Sequence, residues 1–495
     1  MADIQPPAPR RVVIEPVSRV EGHGKVTLLL DDAGRVTQAR LHIVEFRGFE
    51  KFITGRTFWE VPVLVQRLCG ICPISHHLAA GKAVDMLVGA RVLTPTADKV
   101  RRLAHLGQTL QSHALHFFHL SSPDLLLGFD AEVGQRNLLG VLAAHPEVAR
   151  RGIALRAYGQ EVLRLLTGKR VHGVLVVPGG INQALGAAAR ATLQQDIDQI
   201  VTWCQDSVTL ARELYLRDEA RNQAFGSFRS SFLGLTRADG ALELYDGGLR
   251  ARDADGQTIF DHVDPVEYTH YLREEVRSWT YLKFPYIASR GRDAGWYRVG
   301  PLARVNNADS ITTPLAEAER VRFRGHGGAA PVWASLAYHW ARMIEMLHCA
   351  EAIRELLGDA ELGGSELVVK GERQGTGIGV IEAPRGTLFH HYEADDRGLI
   401  TRCNLIVSTT SNNQAMNTAV ERVAAQYFDG RAITEGLLNH IEVAIRAYDP
   451  CLSCATHALG QMPLEVSAVA PDGAVVDLVR RAADGTLTRP SPGAA

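Results

Sequence analysis

The sequence lacks long apolar runs and a strong charge of either sign. No uninterrupted apolar stretch is long enough to cross a bilayer, and the N-terminus, MADIQPPAPRRVVIEPV, has no apolar core of signal-peptide length. Lys and Arg number 53 against 55 Asp and Glu, so the formal net charge of −2 favours neither a nucleic-acid-binding chain nor an acidic disordered one. We therefore expect a cytoplasmic protein without a membrane span, which binds no nucleic acid and recognises its partners locally.

Cysteine is also scarce, with 7 residues among 495. This low, odd number argues against a disulfide framework and indicates a reducing compartment, in which thiols bind metals. Cys204, Cys349 and Cys403 are expected to be small buried apolar side chains. The other four form two Cys-x-x-Cys pairs at opposite ends of the chain.

Each pair is followed closely by a histidine. The first motif is Arg67-Leu-Cys-Gly-Ile-Cys-Pro-Ile-Ser-His76, and the second is Asp449-Pro-Cys-Leu-Ser-Cys-Ala-Thr-His457. At this spacing, one turn of backbone can direct both sulfurs at one metal ion. The long stretch between Cys72 and Cys451 disfavours a compact zinc or iron-sulfur module, and four thiolates suit a late or redox-active transition metal. The sequence predicts one soft-metal site.

The apolar pattern predicts a mainly α fold with smaller β pieces (α+β). Near-alternate apolar residues predict an N-terminal antiparallel sheet, and helical periodicity predicts a large multihelical body. Helices are expected over residues 77–93, 98–120, 187–217, 332–357 and 437–447, and strands over 367–370, 379–382 and 405–410. The expected organisation is a disordered segment 1–10, a β-rich segment 11–55, a helical body 56–457 with β-rich insertions near 225–264 and 365–410, and a C-terminal extension 458–495.

The two cysteine motifs match R-x-C-G-x-C-x-x-x-H and D-P-C-x-x-C-x-x-H without a gap. At these residues, and over essentially the whole chain, the sequence resembles the large, catalytic subunit of nickel-iron hydrogenases. Within that family, the amino-acid sequence is most similar to the cytoplasmic, bidirectional, NAD-linked branch at residues 46–51, at His76-His77 and at residues 451–463. The resemblance implies that family's large-subunit fold and reversible, heterolytic cleavage of dihydrogen.

The resemblance also implies the metal ligands. All four sulfurs would bind nickel, with Cys69 and Cys451 terminal, while Cys72 and Cys454 would bridge to an iron that carries carbon monoxide and cyanide. Cys451 would be the first base for the proton, and the Thr409 hydroxyl would hydrogen-bond a cyanide.

A proton relay is implied by Arg19-Val-Glu-Gly-His23, in which Glu21 would carry protons away from Cys451. The sequence leaves open the alternative that Glu21 is a buried structural glutamate paired with an arginine.

An arginine is implied at the open face of the metals. Arg385 lies in Glu382-Ala-Pro-Arg-Gly386, and Asp124 and Asp449 would orient it. A guanidinium keeps its charge at all relevant pH values, so Arg385 would polarise the bound substrate and would carry protons poorly.

A magnesium site is the last implied metal site. Glu50, in the R-G-x-E motif, and His457 would hold the ion together with a backbone carbonyl within residues 403–406.

The resemblance implies partners as well. No cysteines remain here for an iron-sulfur cluster, so a small iron-sulfur subunit would carry electrons away, and diaphorase subunits would bind NAD. Nickel-insertion proteins would load the site, and a maturation protease would remove 458–495. Until then the extension should hold His457 outward. Two alternatives remain: a regulatory hydrogen sensor, and a non-hydrogenase subunit related to respiratory complexes.

Three further patterns are interpreted as structural features and not as cofactor or metal sites. Gly375-Thr-Gly-Ile-Gly379 lacks the full dinucleotide-binding spacing and precedes no predicted helix, so we expect no nicotinamide there. His113, His116 and His119 share a helix face, which fits packing between helices better than a second metal. Residues 298–304, RVGPLAR, are expected to form turns.

Overall fold

A computed structural model describes residues 17–328, 330–428 and 434–457, and the backbone of strands at Arg11–Ile14, Leu464–Val469, Val475–Arg481 and Leu487–Thr488. The segment 1–10, expected to be disordered, lies outside the described residues, as does most of the chain after Arg481. None of the described helices combines the length and the hydropathy needed to cross a membrane.

The strands form small, separate sheets. In chain order they are β1 (Arg11–Ile14), β2 (Gly24–Leu30), β3 (Val36–Ile43), β4 (Val176–Val177), β5 (Gly180–Ile181), β6 (Ser231–Thr236), β7 (Gly248–Arg252), β8 (Thr258–Val263), β9 (Leu272–Glu275), β10 (Phe284–Ile287), β11 (Tyr297–Arg298), β12 (Thr376–Ala383), β13 (Gly386–Ala394), β14 (Ile400–Ile406), β15 (Leu464–Val469), β16 (Val475–Arg481) and β17 (Leu487–Thr488). Sheet orders are β1-β2-β3, β4-β5, β11-β6-β7-β8, β10-β9, β12-β13-β14 and β15-β16-β17.

The helices make up most of the rest. They are α1 (Phe49–Ile53), α2 (Val61–Leu64), α3 (Pro73–Leu87), α4 (Pro95–Leu115), α5 (Ser122–Leu127), α6 (Leu138–Ala144), α7 (Pro146–Thr167), α8 (Ala187–Arg217), α9 (Glu219–Ala224), α10 (Tyr268–Tyr271), α11 (Gly291–Ala294), α12 (Pro301–Asn307), α13 (Pro314–Gly327), α14 (Ala337–Gly358), α15 (Ser408–Ser411), α16 (Asn413–Tyr427) and α17 (Glu435–Ala447). The predicted fold class, mainly α with smaller sheets, is confirmed.

The predicted N-terminal sheet is confirmed and is antiparallel. Val26 pairs with Leu41 and Leu28 with Ala39, and all four side chains are buried. Such cross-strand apolar pairs are the unit of sheet stabilisation, so alternation along β2 and β3 fixes which face meets the body.

Helix α14 is the central element of the helical body. It packs against α4, α8, α12 and α13 and is buried on nearly every side. Apolar residues such as Trp340 and Met343 explain this burial, since each buried large side chain is worth about 1.5–3 kcal/mol. Arg342 and Glu345 are buried in the same helix, where charged groups need partners.

The sheet β12-β13-β14 lies against α3. A Cβ at Gly377 or Gly379 would come within 2.0 Å of a backbone carbonyl of α3, at Ala83 or Ala79 respectively. Gly377 and Gly379 are therefore explained by close strand-to-helix packing.

Several local predictions were wrong. Residues 367–370 form no strand, and residues 408–411 form the short helix α15 because the extended run ends at Ile406. Strand β13 was missed because Pro384-Arg385 looks like a break, whereas it is the two-residue turn that joins β12 to β13. Residues 298–304 are not merely turns, since Pro301 opens α12 at a position that suits proline.

Candidate metal centre

The first cysteine pair lies between two short helical elements. A 3-10 turn, Val65–Leu68, ends at Cys69, and Cys72 directly precedes α3, which Pro73 opens. The backbone N–H groups of Ile71 and Cys72 donate to the Cys69 sulfur at 3.2 and 3.1 Å. Amide hydrogen bonds of this kind stabilise a thiolate, so the local backbone prepares Cys69 to bind a metal.

The second pair follows the end of α17. Asp449 has a φ of 53°, in the left-handed region that non-glycine residues rarely adopt, and Pro450 prevents further helix. The chain then turns through a short 3-10 segment, Ser453–Ala455. The N–H of Cys451 donates to the Thr409 hydroxyl at 2.9 Å, which fixes the start of the loop.

The structure brings the two pairs together. All four sulfurs lie within 4.8 Å of one another, with Cys69 Sγ at 3.2 Å from Cys451 Sγ and Cys451 Sγ at 2.8 Å from Cys454 Sγ. Each cysteine is at most 5% exposed. Among the described residues, these four form the group that could hold a metal ion.

The charges in this cluster are unevenly shared. Burial raises the pKa of Cys451 and of Cys454 well above the ordinary value. The pKa of Cys69 is lowered well below it, since hydrogen bonds from the neighbouring thiols and the charge of Arg385 outweigh burial. Hydrogen bonds from Cys451 and Cys454 lower the pKa of Cys72 to about 6. Four buried thiolates cannot coexist this closely without a cation, so the donor set fits a soft metal.

Arg385 lies beside the cluster, in the turn between β12 and β13. Its guanidinium donates to the Asp449 carbonyl at 2.6 Å and to the Asp449 carboxylate at 3.0 Å. The nearby Asp449 and cysteine charges, acting against burial, raise its pKa. Asp449 keeps a second, buried carboxylate oxygen without a protein partner. The structure thus contains the predicted Arg385–Asp449 pair.

Glu21 lies at the second cysteine loop. Its backbone pairs in parallel with Cys451, its carbonyl accepts from the N–H of Leu452 at 3.0 Å, and its carboxylate accepts from the N–H of Ser453 at 3.1 Å. The described partners of Glu21 include no arginine. The contacts on the second cysteine loop therefore favour the relay role for Glu21, which stays a prediction, over a pairing with an arginine.

Comparison with known proteins decides the family. A model described as "Nickel-dependent hydrogenase" matches residues 47–130 and 245–457, and a HoxL-like model matches residues 11–46. The chain belongs to the nickel-dependent hydrogenase family. It is 46% identical, over 94% of its length and 99% of the relative's, to the β subunit of the NAD-reducing hydrogenase HoxS of Cupriavidus necator.

Solved hydrogenase structures are similar in fold. A structure of an NAD+-reducing [NiFe]-hydrogenase in the H2-reduced state has a TM-score of 0.89 and 57% identity, covering 91% of this chain and 100% of that one. The reduced Ni-Fe-Se hydrogenase from D. vulgaris Hildenborough has a TM-score of 0.73 and 24% identity over the same shares, which shows the fold alone. The family match begins again at residue 245, and residues 131–244 contain none of the predicted site residues.

In this hydrogenase chain Asp124 does not contact Arg385, so its predicted orienting contact is absent. Its carboxylate accepts instead from Arg19 at 2.6 Å, from Arg446 and from Asn439 at 3.2 Å. Asp124 lies behind the second cysteine loop, where it neutralises arginines from both chain ends. The motif alone could not reveal this because the arginine partners are hundreds of residues apart in sequence.

Glu50 and His457 lie in one neighbourhood with a lysine. The Glu50 carboxylate accepts from Lys283 Nζ at 2.9 Å and from the N–H of Leu405 at 2.8 Å, and the Glu274 carboxylate lies 3.4 Å from Lys283. His457 is buried and its Nδ1 has no hydrogen-bond partner. The burial is complete with the C-terminal extension attached, so the expectation that the extension holds His457 outward is wrong.

The three histidines on α4 and the π turn His116–Ser121 do not form a metal site. His113 Nε2 bonds the Glu345 carboxylate at 2.7 Å, whereas His116 Nε2 bonds the carbonyl of Arg446 at 2.7 Å. Burial lowers the pKa of His113 to about 4, so its ring is neutral at pH 7. Of the three remaining cysteines, Cys204 and Cys349 are buried as predicted, and Cys403 is half-buried.

We expect Thr409→Val to destabilise the chain by about 1–3 kcal/mol, because it leaves the buried N–H of Cys451 without an acceptor. The matched control is Thr410→Val, since the adjacent Thr410 hydroxyl is buried without any partner and its loss should cost little or nothing. Denaturant unfolding of the metal-free chain compares the two. Equal effects would contradict the role given to the Thr409 bond.

Proposed function

We propose that this chain is the catalytic subunit of a nickel-iron hydrogenase that splits dihydrogen reversibly into protons and electrons. The observation that carries the proposal is the buried cluster of Cys69, Cys72, Cys451 and Cys454, with Arg385 beside it. A respiratory-complex subunit without metal ligands is disfavoured because all four thiols are present and converge. Nothing in the site favours the hydrogen-sensor alternative.

The four cysteines would hold nickel, with Cys69 and Cys451 terminal and with Cys72 and Cys454 shared with an iron that carries carbon monoxide and cyanide. Bound there, the two metals supply the redox centre at which dihydrogen is cleaved. Thr409 supports the cyanide contact, since its hydroxyl accepts from the N–H of Cys451 and retains its own proton to donate.

The protein's own groups supply charge and proton transfer. Arg385 provides a permanent positive charge at the cluster, which favours the polarised form of the substrate, and Asp449 fixes its direction. Cys451 is proposed as the first base, and Glu21 as the next, because its carboxylate is anchored on the same loop by the N–H of Ser453.

A magnesium ion is proposed at Glu50 and His457. The chemistry suits a hard cation, because the Glu50 and Glu274 carboxylates converge, and the buried Oε1 of Glu274, which lies 3.4 Å from Lys283 Nζ, accepts no hydrogen bond from the described residues. Lys283 already supplies one positive charge there. Magnesium would thus share these carboxylates with Lys283. The net negative charge around the ion would therefore be smaller than in a site whose carboxylates bind the metal alone.

The electron route lies outside this chain. We propose a small iron-sulfur subunit as the immediate acceptor, and diaphorase subunits that reduce NAD, because two similar proteins bear the name NAD-reducing hydrogenase. The proposed NAD-linked assembly works in the cytoplasm, as the sequence predicts. The division into segments 1–10, 11–55, 56–457 and 458–495 also stays a prediction.

The first test is the loss of nickel. Cys451→Ala should abolish both hydrogen oxidation and nickel retention, because it removes one of four sulfur ligands. Cys204→Ala is the control, since Cys204 is also a buried thiol and lies in α8, outside the cluster. Metal analysis of both purified proteins is the measurement. Nickel at the wild-type level in Cys451→Ala would refute the assignment.

The second test separates proton transfer from metal binding. Glu21→Gln should keep nickel but lower both hydrogen oxidation and hydrogen/deuterium exchange about 100-fold, since an amide accepts the Ser453 hydrogen bond but relays no proton. Glu45→Gln is matched, because Glu45 also contacts Ser453, at 3.3 Å from its hydroxyl. If the two variants behave alike, Glu21 is not the relay.

The third test concerns the extension. We propose that a maturation protease cuts after His457, which is where the family match ends. The extension is not without structure, since β15, β16 and β17 form an antiparallel sheet. The intact mass of active enzyme should correspond to a chain ending at His457. Full activity in enzyme that still carries residues 458–495 would contradict this.

A further inference from the structure

A buried charge cluster lies against the turn that carries Arg385 and is not used in the proposed chemistry. Arg304 of α12, Glu345 of α14 and Glu382 of β12 are each at most 1% exposed, and His113 borders them. Burying three ionisable groups is costly unless each is fully hydrogen-bonded, so their arrangement calls for an explanation.

Arg304 is the hub of this cluster. It donates two hydrogen bonds of 2.5 Å to Glu345 and one of 2.7 Å to Glu382. The same guanidinium donates to the backbone carbonyls of Ala383 at 3.0 Å and Pro384 at 3.2 Å. These two carbonyls belong to the turn that carries Arg385, so Arg304 grips the backbone directly before it.

The backbone around Arg304 is shaped to the same turn. A Cβ at Gly300 would lie 2.8 Å from the carbonyl oxygen of Arg385, and a Cβ at Gly386 would lie 2.3 Å from Val299. Gly300 has a φ of 94° and Gly386 a φ of 136°, which glycine adopts without strain. Residues 298–304 therefore form a cradle fitted around Arg385.

Helix α14 links this cradle to the second cysteine pair. Glu345 anchors Arg304, and Arg342, almost one turn earlier, donates to the carbonyl of Ala447 at 3.0 Å, at the end of α17. One helix thus contacts both the residue that holds the Arg385 turn and the segment before Asp449. The charge of Arg304 holds the pKa of Glu345 at about 2, so the anchor stays ionised at neutral pH.

We propose that Arg304 is a positioning residue: through Glu345, Glu382 and the carbonyls of Ala383 and Pro384, it sets the place of the Arg385 guanidinium over the sulfur cluster. This inference rests on the proposed hydrogenase function. It assigns a role to the RVGPLAR segment that concerns catalysis and leaves metal binding unchanged.

The test uses the whole enzyme complex. Arg304→Lys keeps a positive charge between Glu345 and Glu382, but an ammonium cannot make all five of these bonds. We expect it to retain nickel while hydrogen oxidation per bound nickel falls about 100-fold, as when one electrostatic group is displaced from a reacting centre. Arg101→Lys is the control, since Arg101 is equally buried, lies outside the cradle, and also bonds a carboxylate, that of Asp85, and two backbone carbonyls, those of Val177 and Gly180.

A double-mutant cycle with Arg385→Lys tests whether Arg304 affects the rate through Arg385. If Arg304 acts through Arg385, the double variant Arg304→Lys/Arg385→Lys should be no slower per nickel than Arg385→Lys alone, whereas Arg101→Lys should not couple to Arg385. If Arg304→Lys fails to fold, Glu345→Gln takes its place in the cycle, and it should show the same coupling to Arg385→Lys.

Different outcomes would contradict the proposed hydrogenase function and the positioning role of Arg304. Wild-type enzyme without nickel or hydrogen oxidation would overturn the proposed function. With an active wild type, rate losses that multiply in the double variant would overturn the role of Arg304. So would an Arg304→Lys enzyme whose activity falls only in step with its nickel content.

Discussion

Four sulfur atoms within 4.8 Å of one another, all buried, place more negative charge in one spot than a protein interior can hold without cations nearby. Positively charged side chains of the surrounding structure offset this negative charge. Arg385 lies directly beside the sulfurs, and Arg342 lies close enough to act on Asp449. Arg385 and Arg342 thus bring positive charge to the centre, as a cluster of thiolates requires.

The same constraint explains why the two chain ends are tied together. The first cysteine pair depends on the start of α3, and the second on the end of α17, so neither can move without separating the sulfurs. Asp124 neutralises Arg19 from the N-terminal segment and Arg446 from α17. Left-handed backbone, which costs on the order of 1 kcal/mol or more per residue, is held at Arg19 by the ion pair with Asp124 and at Asp449 by the hydrogen bonds from Arg385.

The sequence was sufficient to predict groups whose chemistry is local. Cysteine spacing identified the four thiols that converge, hydrophobic periodicity identified α8 with its observed bounds, and the alternating N-terminal residues predicted the first sheet. Predictions failed where partners are remote in sequence. Asp124 pairs with arginines that no motif indicates, and the importance of Arg304 depends on backbone carbonyls nearly 80 residues away. Such contacts are fixed only when the helices pack.

The pairing of Glu21 with Cys451 has a consequence for synthesis of the chain. A ribosome must complete more than nine-tenths of the sequence before the second half of the centre exists. Contacts of such long sequence separation form late in folding. Any chain that terminates early carries only Cys69 and Cys72, which is half a ligand set. A metal that needs all four sulfurs as ligands would therefore be bound only by polypeptides that have been translated through Cys454.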